Sequence, residues 1–232
     1  MTQPESSERW VYMLGGVAAI VGSLMGMVGN LIHPATPLAD PDGVARVIAE
    51  SDAWTVIHLV IVFGIVLMLG GLVALYQSIR GGVADALARL GLAAAIVGIA
   101  IGVVLVILDG VAAKQLADGW AIAPQEERTI ALRIVLANET INFALASSFN
   151  IVFAGATFIL FGMAVAFSEV YRQWLGWVVV VAGIVSVGAG LIQAFAGEPT
   201  TASRVLTIIG PTVITLWVLV IGVLLVRKAQ AA

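Results

Sequence analysis

Six stretches of the chain carry no charged residue and stay apolar for long enough to cross about 30 Å of hydrocarbon. They cover Trp10–Ile32, Ala53–Gln77, Leu90–Leu108, Thr140–Phe167, Trp174–Gly197 and Val205–Val226. In lipid only a helix satisfies its own backbone, short of a closed barrel. The pattern therefore predicts an all-α fold, a polytopic transmembrane helix bundle of about six spans, in one transmembrane domain over residues 1–232.

Two short amphipathic helices are expected outside the spans. Asp40 is placed to cap a helix that starts with Pro41 and carries Val44, Val47 and Ile48 on one face. A second begins after Pro124, at Gln125-Glu126-Glu127, and continues into the fourth span. From Gln125 to Phe167 it would rise about 65 Å, so part of it must project or bend. Both are expected to lie at the interface and cap the bundle.

Small residues recur every fourth position. Ala18, Gly22, Gly26 and Asn30 do so in the first span, Ala94, Gly98 and Gly102 in the third, and Ala182, Ser186, Gly190 and Ala194 in the fifth. That spacing lets helix backbones approach closely, either inside the bundle or between two copies of the chain as a homo-oligomer. Gly210-Pro211 is expected to kink the last span.

Composition agrees with the pattern. Hydrophobic residues make up 61% and charged residues 11% of the chain, against about 45–50% and 25% in soluble domains. The principal partner is then the lipid bilayer. A net charge of −3 with no basic block argues against nucleic acid. Cysteine is absent, which removes disulfides, thiolate nucleophiles and Cys-ligated metals. The first apolar run is long enough to span and ends in His33-Pro34, so it is not read as a cleavable signal.

Orientation follows from the cations. With a cytoplasmic N-terminus, Arg9, Arg80, Arg89, Arg172, Arg227 and Lys228 lie inside, and Arg46, Lys114, Arg128, Arg133 and Arg204 outside. The bias is clearest in the short Ser78–Arg89 loop and at Arg227-Lys228. The expectation is a multi-pass cell-membrane protein with both termini cytoplasmic. Trp10, Tyr12, Tyr76, Tyr171, Trp174 and Trp177 fall near the inner boundary, and Trp54 and Trp120 near the outer one, as an aromatic belt would. Trp217 lies mid-span, where its indole N–H needs an internal partner.

The polar residues gather at the outer ends of the spans: Asn30 and His33, His58, Asp109, Asn138, Glu139 and Asn142, and Gln193. Burying such groups is costly unless they are paired or wet. In the fourth span Glu139, Asn142, Ala146, Asn150 and Thr157 share a helical face that should point inward. One reading is an outward pocket binding a small ligand or ion, lined by His58, Asp109, Glu139, Asn142 and Asn150. Another is an interhelical hydrogen-bond seam in a structural or assembly subunit. A third is a membrane-embedded enzyme whose divalent zinc, iron or manganese is held by His33, His58, Asp109 and Glu139. Asp109 could instead pair with Lys114. No Ser-His-Asp order or Gly-x-Ser-x-Gly elbow appears, so no catalytic residue is assigned.

Three features carry a likeness to known proteins. These are the amphipathic segment Val44–Glu50, the stretch from Phe161-Gly162 through Tyr171-Arg172, and Leu175-Gly176 followed by Ala182-Gly183. In that order they resemble a family of bacterial six-span integral membrane proteins known only as a domain of unknown function. The resemblance implies the six-span fold and no activity.

Overall fold

The computed structural model describes residues 6–37, 40–197 and 199–231. The described residues are overwhelmingly helical, with no strand among them. The helices are α1 (Ser6–Ile32), α2 (Pro41–Glu50), α3 (Trp54–Ser78), α4 (Gly82–Ile122), α5 (Arg128–Phe167), α6 (Gln173–Ala196) and α7 (Thr201–Ala231). All but α2 are long and apolar enough to cross a membrane. The chain is thus an α-helical bundle with six such helices.

Successive long helices pack side by side, α1 on α3, α3 on α4, α4 on α5, α5 on α6 and α6 on α7, and α7 returns to α1. The result is a closed ring. Its outer wall is studded with exposed Leu, Val, Ile and Phe, such as Leu14, Val21, Phe63 and Val181, and so suits acyl chains.

α1 and α7 run about one turn beyond their sequence-based bounds, and α4 exceeds its own by more. α4 starts at Gly82 rather than Leu90, because Arg89 pairs with Asp85 one turn back at 2.7 Å and supports the first turns. It then runs past Leu108 to Ile122, since Ala113, Ala117 and Trp120 bury an apolar face in protein. Both α4 and α5 are interrupted by wider π-helical segments, at Leu108–Ala112 and Asn150–Thr157. The helix expected from Gln125 begins instead at Arg128, after a turn in which the Pro124 carbonyl accepts from the amides of Glu127 and Arg128.

The projecting ends of α4 and α5 form a hairpin, and α2 lies against it. Asp40 caps α2 by accepting from the Gly43 amide at 2.9 Å, with Pro41 in the first turn. The apolar face of α2 is spent on protein: Ile48 packs with Trp54, Ala113 and Ala117, and Ala45 with Trp120 and Val135. Trp54 and Trp120 are accordingly buried, at 1% and 4% exposure, and do not form a belt. At the opposite end Trp10, Trp174 and Trp177 are exposed as expected. Trp217 donates its indole N–H to the Leu175 carbonyl at 2.9 Å.

The small-residue faces are used inside the chain. Gly22 abuts the Gly64 carbonyl, Gly98 the Phe153 backbone, and Gly190 the Ser147 carbonyl. α7 continues through Pro211 from Thr201 to Ala231 without a break. At the end away from α2, Ser78 and Tyr171 share a 2.6 Å hydrogen bond, and the Lys228 ammonium lies 4.9 Å from the Tyr12 ring centre.

Candidate functional site

Four local features bring polar side chains together at the α2 end of the ring. Pro34 cannot continue α1, so His33 lies just past the helix end at Ile32. There its Nδ1 is 2.8 Å from the Pro34 carbonyl. His58 lies one turn into α3, with Nδ1 2.7 Å from the Trp54 carbonyl. Asp109 lies in the π segment of α4. That wider turn directs the carbonyls of Asp109 and Gly110 to α3, where they accept from Trp54 Nε1 at 2.7 Å and Thr55 Oγ1 at 2.9 Å.

The result is a compact triad. His33 Nε2 lies 3.2 Å from His58 Nε2, which lies 3.2 Å from Asp109 Oδ2. The donor atoms of all three groups fall within 4.8 Å of one another. The Trp54 ring packs beside both imidazoles, with centroids 4.8 Å from His33 and 4.9 Å from His58. The His58 side chain is 3% exposed, whereas Asp109 is 32% exposed. Burial, and next the facing His58 ring, hold the His33 imidazole below its ordinary pKa, so it is neutral at pH 7.

The ring tautomers follow from the carbonyls. A carbonyl only accepts, so both Nδ1 atoms carry their protons toward backbone oxygens. In the neutral rings both Nε2 atoms then present lone pairs, to each other and to a carboxylate oxygen. With both rings neutral three acceptors converge, an arrangement that calls for a cation or a shared proton.

A cavity of about 760 Å³ opens beside the triad. His33, His58, Asp109, Glu139, Asn142 and Asn150 all line it. Its other walls are largely apolar, with Ile61, Ile65, Met68, Phe149, Phe153 and Ile214 among them. From His58 to Met68 it descends about 15 Å along α3. Asn142 is 6% exposed, and its Oδ1 has no hydrogen-bond partner among the described residues. Its Nδ2 is 3.5 Å from Glu139 Oε1.

Several expectations change here. Lys114 pairs with Asp118 at 2.6 Å and donates to the Ala49 carbonyl, so it is not the partner of Asp109. Of the four-residue metal set, Glu139 stays outside the triad and lines the cavity instead. The α5 stripe divides in two. Glu139 and Asn142 serve the cavity, while Asn150 also bonds Gln193 Oε1 at 2.8 Å and Thr207 Oγ1 at 3.3 Å, which is the seam. Thr157 turns back on the Val152 carbonyl. Asn138 is buried away from the cavity wall.

The sequence reading missed Trp54 and Thr55 as supports, and Arg204 and Thr207 as lining. The first two had a signal: they stand one turn before His58. Gly110 was missed as well. A Cβ there would strike His58 Cβ and come within 2.7 Å of its Cγ. Gly110→Ala should therefore lower the thermal stability of the detergent-purified protein by roughly 1–3 kcal/mol, read by thermal unfolding. An unchanged midpoint would contradict this close approach. Among known proteins no family model, no curated protein and no solved structure matches the chain.

Proposed function

We propose that this is a multi-pass membrane protein that binds a small polar or amphiphilic molecule in the cavity at the α2 end of its ring. The single observation that carries the reading is that His58, Asp109, Glu139, Asn142 and Asn150, from three different helices, line one cavity of about 760 Å³. That volume falls in the range of small-molecule sites, as do mostly apolar walls with a few convergent polar groups. The polar groups cluster near the ends of α1 and α3, and Met68, Phe153 and Ile214 form the apolar depth. A molecule with a polar head and an apolar body matches that division. With both termini cytoplasmic, the cavity opens outward. A purely structural role explains the Asn150–Gln193 contact but not why Glu139 is held in the wall of the same cavity as His58 and Asp109.

The cysteine-free sequence makes a clean test. In intact cells, Glu139→Cys, at a half-buried position in the cavity wall, should react with a membrane-impermeant maleimide added outside. Phe161→Cys, at a fully buried position, should not react. Tyr171→Cys should react only after permeabilisation. Protection of Glu139→Cys from the outer reagent would defeat the outward, water-reachable cavity.

A further inference from the structure

We propose that His33 Nε2, His58 Nε2 and Asp109 Oδ2 bind one divalent transition-metal ion, with its open coordination side facing the cavity. The inference rests on the cavity reading above, because an ion must enter through that space.

Geometry is the first support. Ligand atoms about 2.0–2.1 Å from a tetrahedral zinc stand about 3.3 Å apart. The two Nε2 atoms are 3.2 Å apart and His58 Nε2 is 3.2 Å from Asp109 Oδ2, so two of the three edges match, and the third falls within 4.8 Å, to be closed by the part-exposed carboxylate. Orientation is the second. A metal-bound imidazole almost always donates its other N–H to a carbonyl or carboxylate, which fixes ring and tautomer. Both rings do this here, to Pro34 and Trp54. The Asp109 carbonyl is itself held by the Trp54 indole, so one tryptophan braces two of the three ligand residues.

The third support is the unmet demand at the site. His33 Nε2, His58 Nε2 and Asp109 Oδ2 meet one another and no other side chain among the described residues. Two imidazoles and one carboxylate suit zinc, iron(II) or manganese(II) over calcium or magnesium, which prefer oxygen donors. With only three protein ligands, at least one position stays open for water or an oxygen donor of the cavity's occupant. Glu139 lines the same cavity outside the triad.

The test uses the full-length protein in detergent, stripped with a chelator and titrated with zinc chloride by calorimetry. Cobalt(II) serves as the spectroscopic probe. One zinc per chain is expected, and cobalt absorption of the intensity given by four- or five-coordinate sites. His33→Ala and Asp109→Asn should each weaken zinc binding on the order of 100-fold or more, at or beyond the losses seen for outer-shell partners. Asp118→Asn, which alters only the Lys114 pair, should bind as the parent does. Thermal unfolding of the metal-free variants checks that each is folded, and His33→Gln stands in if His33→Ala is not. Absence of saturable zinc and cobalt binding would overturn the site, as would parental affinity in folded Asp109→Asn. Glu139→Cys labelling separates the two readings. A labelled chain that binds no metal defeats the metal site alone, and a metal-binding chain left unlabelled defeats the outward cavity alone.

Discussion

Gly176→Val should cost the detergent-purified protein roughly 1–3 kcal/mol or more of thermal stability, a large share of the total for a small bundle. Gly176 lies at the end of the first turn of α6, where α6 crosses α5. A Cβ there would strike the Gly162 carbonyl and the Ala166 amide, and would lie 2.7 Å from Ala166 Cβ. Two of those three obstacles are backbone, which cannot swing away as a side-chain tip can. The helices would have to separate. In lipid or detergent no hydrophobic gain follows from alternative packing, because the contact itself is what holds the pair. Gly188, on the same helix, supplies the control, since a Cβ there meets nothing within 4 Å. Gly188→Ala should be neutral, or gain up to about 1 kcal/mol from helix propensity. Equal melting of the parent and Gly176→Val would mean that α5 and α6 do not cross at Gly162 and Gly176.

Asn150→Asp should be the most damaging change on the cavity side. Asn150 is 3% exposed, and its Nδ2 donates to Gln193 Oε1 at 2.8 Å and lies 3.3 Å from Thr207 Oγ1. A carboxylate has no N–H to offer Gln193, so an acceptor would face an acceptor. It would also bring a charge into a bundle with no cation bonded at that point. The expected loss is about 3 kcal/mol, the scale for a charged side chain inside a transmembrane helix. Asn150→Leu removes the hydrogen bonds without adding charge and should cost less, about 1–2 kcal/mol. Thermal unfolding of the two variants side by side is the measurement. If Asn150→Leu proved worse than Asn150→Asp, packing rather than polar pairing would govern this position.

Some elements were readable from single residues in order along the chain. Asp40-Pro41 announced the start of α2, because a capping carboxylate and a proline act only on their own helix. The six apolar runs announced the six long helices. Where bounds slipped, the cause was local at the start of α4, in the Asp85–Arg89 pair, and tertiary at its end. The segment after Leu108 is too polar to read as part of a span, yet it stays helical because α2 and α5 cover Ala113, Ala117 and Trp120. Trp54 and Trp120 looked like interfacial anchors for the same reason: composition places a tryptophan at a depth but does not say that a neighbouring helix will cover it.

The sequence by itself determined the fold class, the number of long helices and the end of the bundle at which the polar residues collect. Those follow from hydropathy and helical period, which are properties of each segment alone. The tertiary structure decided which of those residues meet. Asp109 faces His58 rather than Lys114, and Glu139 stays apart, because a π segment resets the rotation of α4 and a glycine at position 110 lets α3 come close. An added residue in one turn rotates everything beyond it, and no residue in that turn advertises the change. Contacts between helices depend on those rotations and on the ring that α7 closes against α1. Hence the triad's partners, unlike its members' approximate depth, could be read only from the packed bundle.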